Sequence, residues 1–167
     1  MPASGSSSLC VIVLVSCLLG CQMLTSSDTV AHYSGINLYL GDDRYIEAFI
    51  SPAKLNDDDA ASLELRSGTH NLGLIAECDE DAVSKFPGTR LIRVKPNSGE
   101  EIAYENAGTE FYFDAGKLRK VHIESWDKWS IYDRRKKISV SMPAKKTDIE
   151  HMLGEPVEWS HHKTSRP

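Results

Sequence analysis

Charged residues are absent from the start of this chain. Residues 1–20 contain no Asp, Glu, Lys or Arg, so the rest of the sequence carries the whole net charge of −5. Within them lies an eleven-residue apolar run, residues 9–19, which is well short of the ~20 residues that a membrane-spanning helix needs. Its length is that of the hydrophobic part of a secretory signal. The sequence therefore predicts an export signal here rather than a membrane span.

Cysteine is scarce beyond this signal. Of the four cysteines, Cys10, Cys17 and Cys21 lie in the apolar run or just after it. Only Cys78 is left for a folded domain, which excludes an intrachain disulfide once the signal is removed. Acidic residues surround it at positions 77–81, and their charge disfavours a thiolate. Cys78 is therefore predicted to be a buried small hydrophobe rather than a nucleophile.

Catalytic and metal-binding motifs are also missing. The chain has no G-x-S-x-G, H-E-x-x-H, C-x-x-C, G-x-G-x-x-G or Walker lysine loop. His151, His161 and His162 lack the spacing of a standard metal site, and we expect them to be solvated. The acidic runs at residues 57–59 and 77–81 lack the loop pattern that directs carboxylates onto Ca²⁺. We therefore predict no cofactor and no metal.

The apolar run ends in Leu18-Leu19-Gly20-Cys21. This motif resembles the lipobox of bacterial lipoproteins, in which a small residue lets the signal peptidase approach the bond before an acylated cysteine. The resemblance implies that residues 1–20 are a signal peptide and that Cys21 becomes the lipid-bearing first residue. Gln22 occupies the position directly after Cys21, where an Asp would favour retention in the inner membrane. By the same resemblance, we expect a palmitate-bearing protein of the cell envelope, at the outer membrane and facing the periplasm.

Three parts are predicted along the chain. Residues 1–20 form the signal, residues 21–35 form the lipidated cysteine and a flexible tether, and residues 36–167 form one domain. The tether is expected because Thr25-Ser26-Ser27-Asp28-Thr29 is polar and has little apolar periodicity. A single domain is expected because its length is a common domain size.

Alternating apolar and polar residues predict an antiparallel sheet. Strands are expected at residues 36–40, 45–50, 61–67, 72–76, 90–95, 101–105, 110–114, 117–123, 129–132 and 138–142. The turns between them are short, which is typical of hairpins and meanders. Thr147-Asp148-Ile149-Glu150 predicts a capping box, with Gly154 as the helix C-cap. The predicted fold class is α+β, an antiparallel sheet with one or two short helices packed on it.

The C-terminal part resembles a known family. Met152-Leu153-Gly154-Glu155-Pro156 closes the predicted helix, and Trp159 follows in a strand. This arrangement is similar to that of SmpA/BamE-type small outer-membrane lipoproteins, whose short helix ends in Leu-Leu-Gly-x-Pro. Phe113-Asp114-Ala115-Gly116-Lys117-Leu118 resembles that family's Phe-Asp-x-Gly-x-Leu strand, although the two motifs occur here in reversed order. The resemblance implies an α+β fold, with a short helix beside an antiparallel sheet.

Charge is unevenly distributed along the chain. Residues 21–116 hold 17 acids and 7 bases, whereas residues 117–167 hold 7 acids and 12 bases. The candidate binding residues lie in the basic part: Trp126, Trp129, Arg134, Arg135, Lys136 and Lys137. They suit anionic lipid headgroups, a polyanionic cell-wall polymer or an acidic protein. The alternative is a charged hairpin turn that protects an edge strand from aggregation.

Three functions remain open from the sequence. The leading hypothesis is a non-enzymatic envelope lipoprotein, anchored through Cys21, that acts as a binding or assembly module. The second is an envelope hydrolase with Asp114 and Glu124 near an aromatic cleft of Trp126 and Trp129. The third is an inhibitor or immunity-type protein whose acidic half binds a basic enzyme. Nucleic-acid binding is not expected of an exported, acidic chain.

Overall fold

Two antiparallel β-sheets and three short α-helices make up the described part of the protein. The structure, a computed structural model, describes residues 27–68, 70–95, 101–124 and 128–163. Cys21 and Trp126 lie outside these residues. The predicted combination of antiparallel strands with a few short helices is confirmed within them.

In chain order the strands are β1 (Ser27–Tyr33), β2 (Ile36–Leu40), β3 (Arg44–Ile50), β4 (Leu63–Ser67), β5 (His70–Leu74), β6 (Arg90–Lys95), β7 (Glu101–Asn106), β8 (Thr109–Asp114), β9 (Lys117–Glu124), β10 (Trp129–Asp133), β11 (Ile138–Ser141), β12 (Ala144–Lys145) and β13 (Glu158–Lys163). The helices are α1 (Asp57–Ala60), α2 (Glu80–Ser84) and α3 (Lys146–Leu153). The larger sheet has the order β13-β1-β2-β3-β9-β8-β7-β6, with β12 paired to β3, and the smaller sheet has the order β11-β10-β4-β5.

The hydrophobic core is shared by the two sheets. Every second residue of β8 is buried, which directs Phe111 and Phe113 into the core. Trp129 of the smaller sheet packs against Phe111 of the larger sheet with ring centroids 5.5 Å apart. Fully burying one large apolar side chain contributes about 1.5–3 kcal/mol. The same alternation directs the intervening residues of β8 to the opposite, outer face of the larger sheet.

The ordered domain begins earlier than the sequence predicted. Residues 21–35 were expected to be a flexible tether, but Ser27–Tyr33 is strand β1, paired with both β2 and β13. Val30 and Ala31 are 1% and 0% exposed. This part of the prediction is wrong because the strand gains its burial from β13, whose position beside β1 has no local signal in the sequence.

Helix α3 starts differently from its predicted capping box. Thr147 was expected to be the N-cap, but the N-cap is Lys145, which makes no side-chain capping bond. Lys145 also ends strand β12, so the pairing of β12 with β3 sets where the helix begins. The predicted C-cap is confirmed, because the Gly154 N–H donates to the Glu150 carbonyl at 2.8 Å and its φ is 80°.

Cys78 lies in the core, as predicted. The side chain is 6% exposed. Burial, with a smaller contribution from the negative charge of Asp79, raises the pKa of the thiol to about 12. The thiol therefore stays protonated at neutral pH and is not a nucleophile. Among the described residues, no helix combines the length and apolar character that crossing a membrane requires.

Candidate functional site

A row of polar and aromatic side chains crosses the outer face of the larger sheet. Directly opposed residues of antiparallel strands place their side chains on the same face. From β13 to β6 the opposed residues are Glu158, His32, Asn37, Phe49, His122, Glu110, Glu105 and Arg90. We name this set the polar row. Neighbouring strands lie about 4.8 Å apart, so the polar row is about 34 Å long.

His122 is the centre of the polar row. Its imidazole stacks on the Phe49 ring, with centroids 4.1 Å apart and planes 8° apart. Its Nδ1 lies 3.4 Å from Glu110 Oε2, and its Nε2 lies 3.8 Å from Glu47 Oε2 and 3.6 Å from Glu124 Oε1. Carboxylates from three strands therefore converge on one imidazole. These carboxylates give the centre of the outer face a negative electrostatic potential.

Aromatic rings flank this centre. Tyr39 contacts Phe49 edge to face, with centroids 5.3 Å apart. Lys120 Nζ lies 4.0 Å from the Tyr112 ring centroid, and the Tyr112 hydroxyl donates a hydrogen bond to Glu110. These rings are only half-buried. Exposed aromatic rings among fixed polar groups are typical of protein-binding surfaces.

The β13 edge of the polar row holds a second histidine. His32 Nε2 lies 2.7 Å from the Ser160 hydroxyl, and His32 Nδ1 lies 2.9 Å from the Asn37 side-chain oxygen. The three side chains come from β13, β1 and β2, which are adjacent in the sheet. His32 and His122 are thus both fixed on the outer face by polar neighbours on adjoining strands.

The predicted basic patch is largely paired within the chain. The turn between β10 and β11 carries its four cations: Arg134, Arg135, Lys136 and Lys137. Arg134 Nε lies 3.2 Å from a carboxylate oxygen of Glu64. The Arg135 guanidinium lies 3.1 Å from Asp58 and 3.6 Å from Asp59, both in α1. The turn therefore holds α1 and β4 in place.

The other two cations of the turn differ from each other. Lys136 Nζ donates to the carbonyls of His151, at 3.2 Å, and Met152 in the last turn of α3. A cation at this end also interacts favourably with the helix dipole. Lys137 is exposed and has a φ of 58°. Three of the four predicted binding cations thus contact the protein's own chain, which favours the structural interpretation of the turn.

Glu64 is the buried acceptor behind this turn, with 8% of its side chain exposed. It accepts hydrogen bonds from Arg66 at 2.7 and 3.0 Å and from Asn71 at 2.9 Å. Burial alone would raise the pKa of Glu64. The hydrogen bonds from Arg66 and Asn71, with the charges of Arg66 and Arg134, outweigh burial and hold the pKa below its ordinary value.

A lowered pKa at Glu64 predicts a loss of stability in acid. The contribution of the carboxylate is complete above the ordinary glutamate pKa of 4.5 and is lost as the pH falls through the lowered folded value. We expect Glu64→Gln to cost about 1–2 kcal/mol at pH 7 and to flatten the decline in unfolding free energy between about pH 5 and 3. Urea unfolding across this range measures both effects. The control is Asp43→Asn, in an exposed turn; equal acid slopes for wild type and Glu64→Gln would contradict this account.

Trp129 is a core residue and not part of a surface patch. Its side chain is fully buried, and its indole N–H donates to the Asn106 carbonyl at 3.0 Å and to the Asn106 side-chain oxygen at 3.2 Å. The prediction that Trp129 belongs to a binding surface is wrong. The reason is the alternation of β10, which directs Trp129 and Ile131 toward the larger sheet. The other predicted tryptophan, Trp126, lies outside the described residues.

The predicted carboxylate pair is not brought together. Asp114 pairs with Lys117 at the β8–β9 turn, whereas Glu124 pairs with Glu47 at the far end of β9. Seven residues of strand separate these ends, or about 23 Å. Trp129 lies in the core, so among the described residues it does not form an aromatic cleft with Asp114 and Glu124.

The three histidines considered as metal ligands differ in their surroundings. His151 is exposed, and His161 Nδ1 lies 3.0 Å from the Thr29 hydroxyl. The His162 side chain is not described. In the described part of the chain, no three His, Cys, Asp or Glu side chains are arranged to hold a metal ion. The acidic runs form α1 and the start of α2, where Asn56 and Asp79 are the capping side chains.

Cavities of small-ligand size open on the surface of the described residues. A cleft of about 400 Å³ lies beside the β8–β9 turn, with Leu118 and Cys78 among its lining residues. A second, of about 410 Å³, adjoins it and shares Asp79 and Gly116. A third, of about 440 Å³, lies between α1, the basic turn and the end of α3. These volumes lie within the range of small-ligand sites.

The polar row could not be found from the sequence. Its members lie in nearly every strand of the larger sheet, and only the strand order and register align them. Alternation within single strands signals which residues share a face, but not which strands are neighbours. Comparison with family models, curated proteins and solved structures finds no match for this chain.

Proposed function

We propose that this protein is a cell-envelope lipoprotein, anchored through an acylated Cys21 after residues 1–20 are removed. Its β-rich domain acts as a binding or assembly module, at the outer membrane and facing the periplasm. The observation that carries the proposal is Leu18-Leu19-Gly20-Cys21 directly after an eleven-residue apolar run. Two or more acyl chains on one cysteine provide a stable membrane anchor, whereas a single chain does not.

The position of the domain supports an anchored module. Cys21 stands six positions before Ser27, where β1 begins. An extended chain covers at most about 3.3–3.6 Å per residue, so these residues reach no more than about 22 Å. The start of strand β1 would then lie close to the lipid headgroups. The outer face of the larger sheet would stand beside the bilayer, open to partners.

The polar row narrows the class of partner. Glu47, Glu110 and Glu124 surround His122, so this face attracts basic groups and repels anionic lipid and polyanionic polymers. The half-buried rings of Tyr39, Phe49 and Tyr112 supply apolar contact area. These features favour an envelope protein with a basic surface as the partner.

Metabolic labelling with palmitate tests the anchor. In a diderm host, we expect the wild-type chain to incorporate label and to fractionate with the membrane. Cys21→Ala removes the acylated atom, so label and membrane association are both expected to be lost. Cys17→Ala is the matched control, because Cys17 lies in the same apolar run and should not be acylated. Label that persists in Cys21→Ala, or is absent from the wild type, would contradict the proposed anchor.

A further inference from the structure

Three side chains at the β13 edge of the polar row form a linked chain of hydrogen bonds. Ser160 of β13 lies 2.7 Å from His32 Nε2, and Asn37 of β2 lies 2.9 Å from His32 Nδ1. His32 stands on β1, between the two other strands. Rigid neighbouring strands therefore hold a hydroxyl and an amide oxygen on opposite sides of one imidazole.

The donors and acceptors of this chain have a defined order. The side-chain oxygen of Asn37 only accepts, so Nδ1 of the neutral His32 ring carries the proton. Nε2 then has a free lone pair and accepts from the Ser160 hydroxyl. A hydroxyl bonded to an imidazole base, which a third group orients, is the arrangement that activates a serine nucleophile.

We propose that Ser160 is an activated nucleophile for acyl transfer, with His32 as its general base and Asn37 as a positioning residue. This activity is independent of the lipid anchor and of the proposed binding partner. Ser160 and His32 are half-buried on an open face, and Ser160 lines none of the three cavities described above. The substrate class is therefore small, activated carboxylic esters that need no deep pocket.

The reaction has two steps. In the first, Ser160 Oγ bonds to the acyl carbon, its proton passes to His32 Nε2, and the ester C–O bond breaks as that proton moves to the leaving alcohol. In the second, water attacks the acyl carbon and gives a proton to Nε2. The proton returns to Ser160 Oγ as the acyl–Oγ bond breaks, which releases a carboxylic acid.

The expected rate gain is that of a positioned base. General-base catalysis contributes about 100- to 10,000-fold. Glu158 is directly opposite His32 on the same face of the sheet, but among the described residues no carboxylate is hydrogen-bonded to the ring. We therefore expect a reactive serine with modest ester hydrolysis rather than a fast hydrolase.

A fluorophosphonate probe tests the proposal on the purified full-length protein. The probe bonds its phosphorus to an activated serine oxygen with loss of fluoride. We expect covalent labelling at Ser160, located by peptide mass spectrometry, and none in Ser160→Ala. His32→Gln should lower the labelling rate by about 100-fold or more. Asn37→Asp keeps an acceptor beside Nδ1 and should retain labelling, whereas Asn37→Leu should lose most of it.

Ser139→Ala is the matched control. The Ser139 hydroxyl donates to Ser130 at 3.1 Å and contacts no imidazole, so labelling should be unchanged. Thermal unfolding of each variant establishes that it is folded, so that a lost label reports chemistry. An unlabelled, folded wild type overturns the proposal. Labelling that persists in Ser160→Ala, or an equal rate in His32→Gln, overturns it as well.

Discussion

Gly35→Ala is expected to cost about 3–5 kcal/mol of unfolding free energy, a large share of the 5–15 kcal/mol typical of a domain. Gly35 turns the chain between β1 and β2 with a φ of 75°, which side chains rarely adopt. An added Cβ would lie 2.6 Å from the Leu55 nitrogen, 2.7 Å from the Lys54 carbonyl carbon and 2.9 Å from the Ser51 oxygen. All three are backbone atoms in or beside the 3₁₀ turn Pro52–Lys54, so the clash is relieved only by moving that turn.

Gly68→Ala separates this clash from backbone strain. Gly68 has a φ of 60°, but nothing lies within 4 Å of an added Cβ. We expect a cost of only about 1 kcal/mol, which is the strain of the left-handed conformation. Urea unfolding of both variants measures the difference. Equal losses would mean that the close approach of the β1–β2 turn to residues 51–55 does not exist.

Trp129→Ala is expected to cost about 3–5 kcal/mol, the range for removing a large aromatic side chain from a core. The indole packs between Phe111 and Phe86 and bonds to Asn106, so its loss leaves a cavity and removes a donor from the buried Asn106 carbonyl. Trp129→Phe keeps most of the volume and loses the donor. We expect a cost of about 1–3 kcal/mol for that variant.

Trp159→Ala provides the comparison. Trp159 is 39% exposed and lies 5.1 Å from Lys146 Nζ, so its removal should cost no more than about 1 kcal/mol. Denaturant unfolding of Trp129→Ala, Trp129→Phe and Trp159→Ala measures the loss of unfolding free energy in each variant. A small effect at Trp129 together with a large one at Trp159 would show that the assignment of core and surface is inverted.

Local patterns predicted the elements that close over short distances. Strand β8 follows strict alternation, and β9 does so after a bulge near Leu118. Ala115-Gly116 between them forms the expected turn with φ values of 48° and 76°. The C-cap at Gly154 and the burial of Cys78 were likewise readable from neighbouring residues. Each of these features depends on residues that are close together in sequence.

Features that depend on distant pairing could not be predicted. Strand β1 looks like a polar tether until Ser27 is paired with Lys163 at the other end of the chain. The basic turn looks like a free cationic patch until Arg135 meets α1. The polar row requires the full strand order. Trp129 differs from these features, because its burial could have been predicted locally. Trp129 and Ile131 alternate with Ser130, which is the pattern of a strand with one buried face.

Intact-mass spectrometry of protein extracted from membranes tests whether Cys21 is the acylated first residue. We predict a chain that begins at Cys21, lacks residues 1–20 and carries the added mass of acyl groups on its first residue. The opposite result is an unmodified chain, recovered from the aqueous fraction with Met1 still attached.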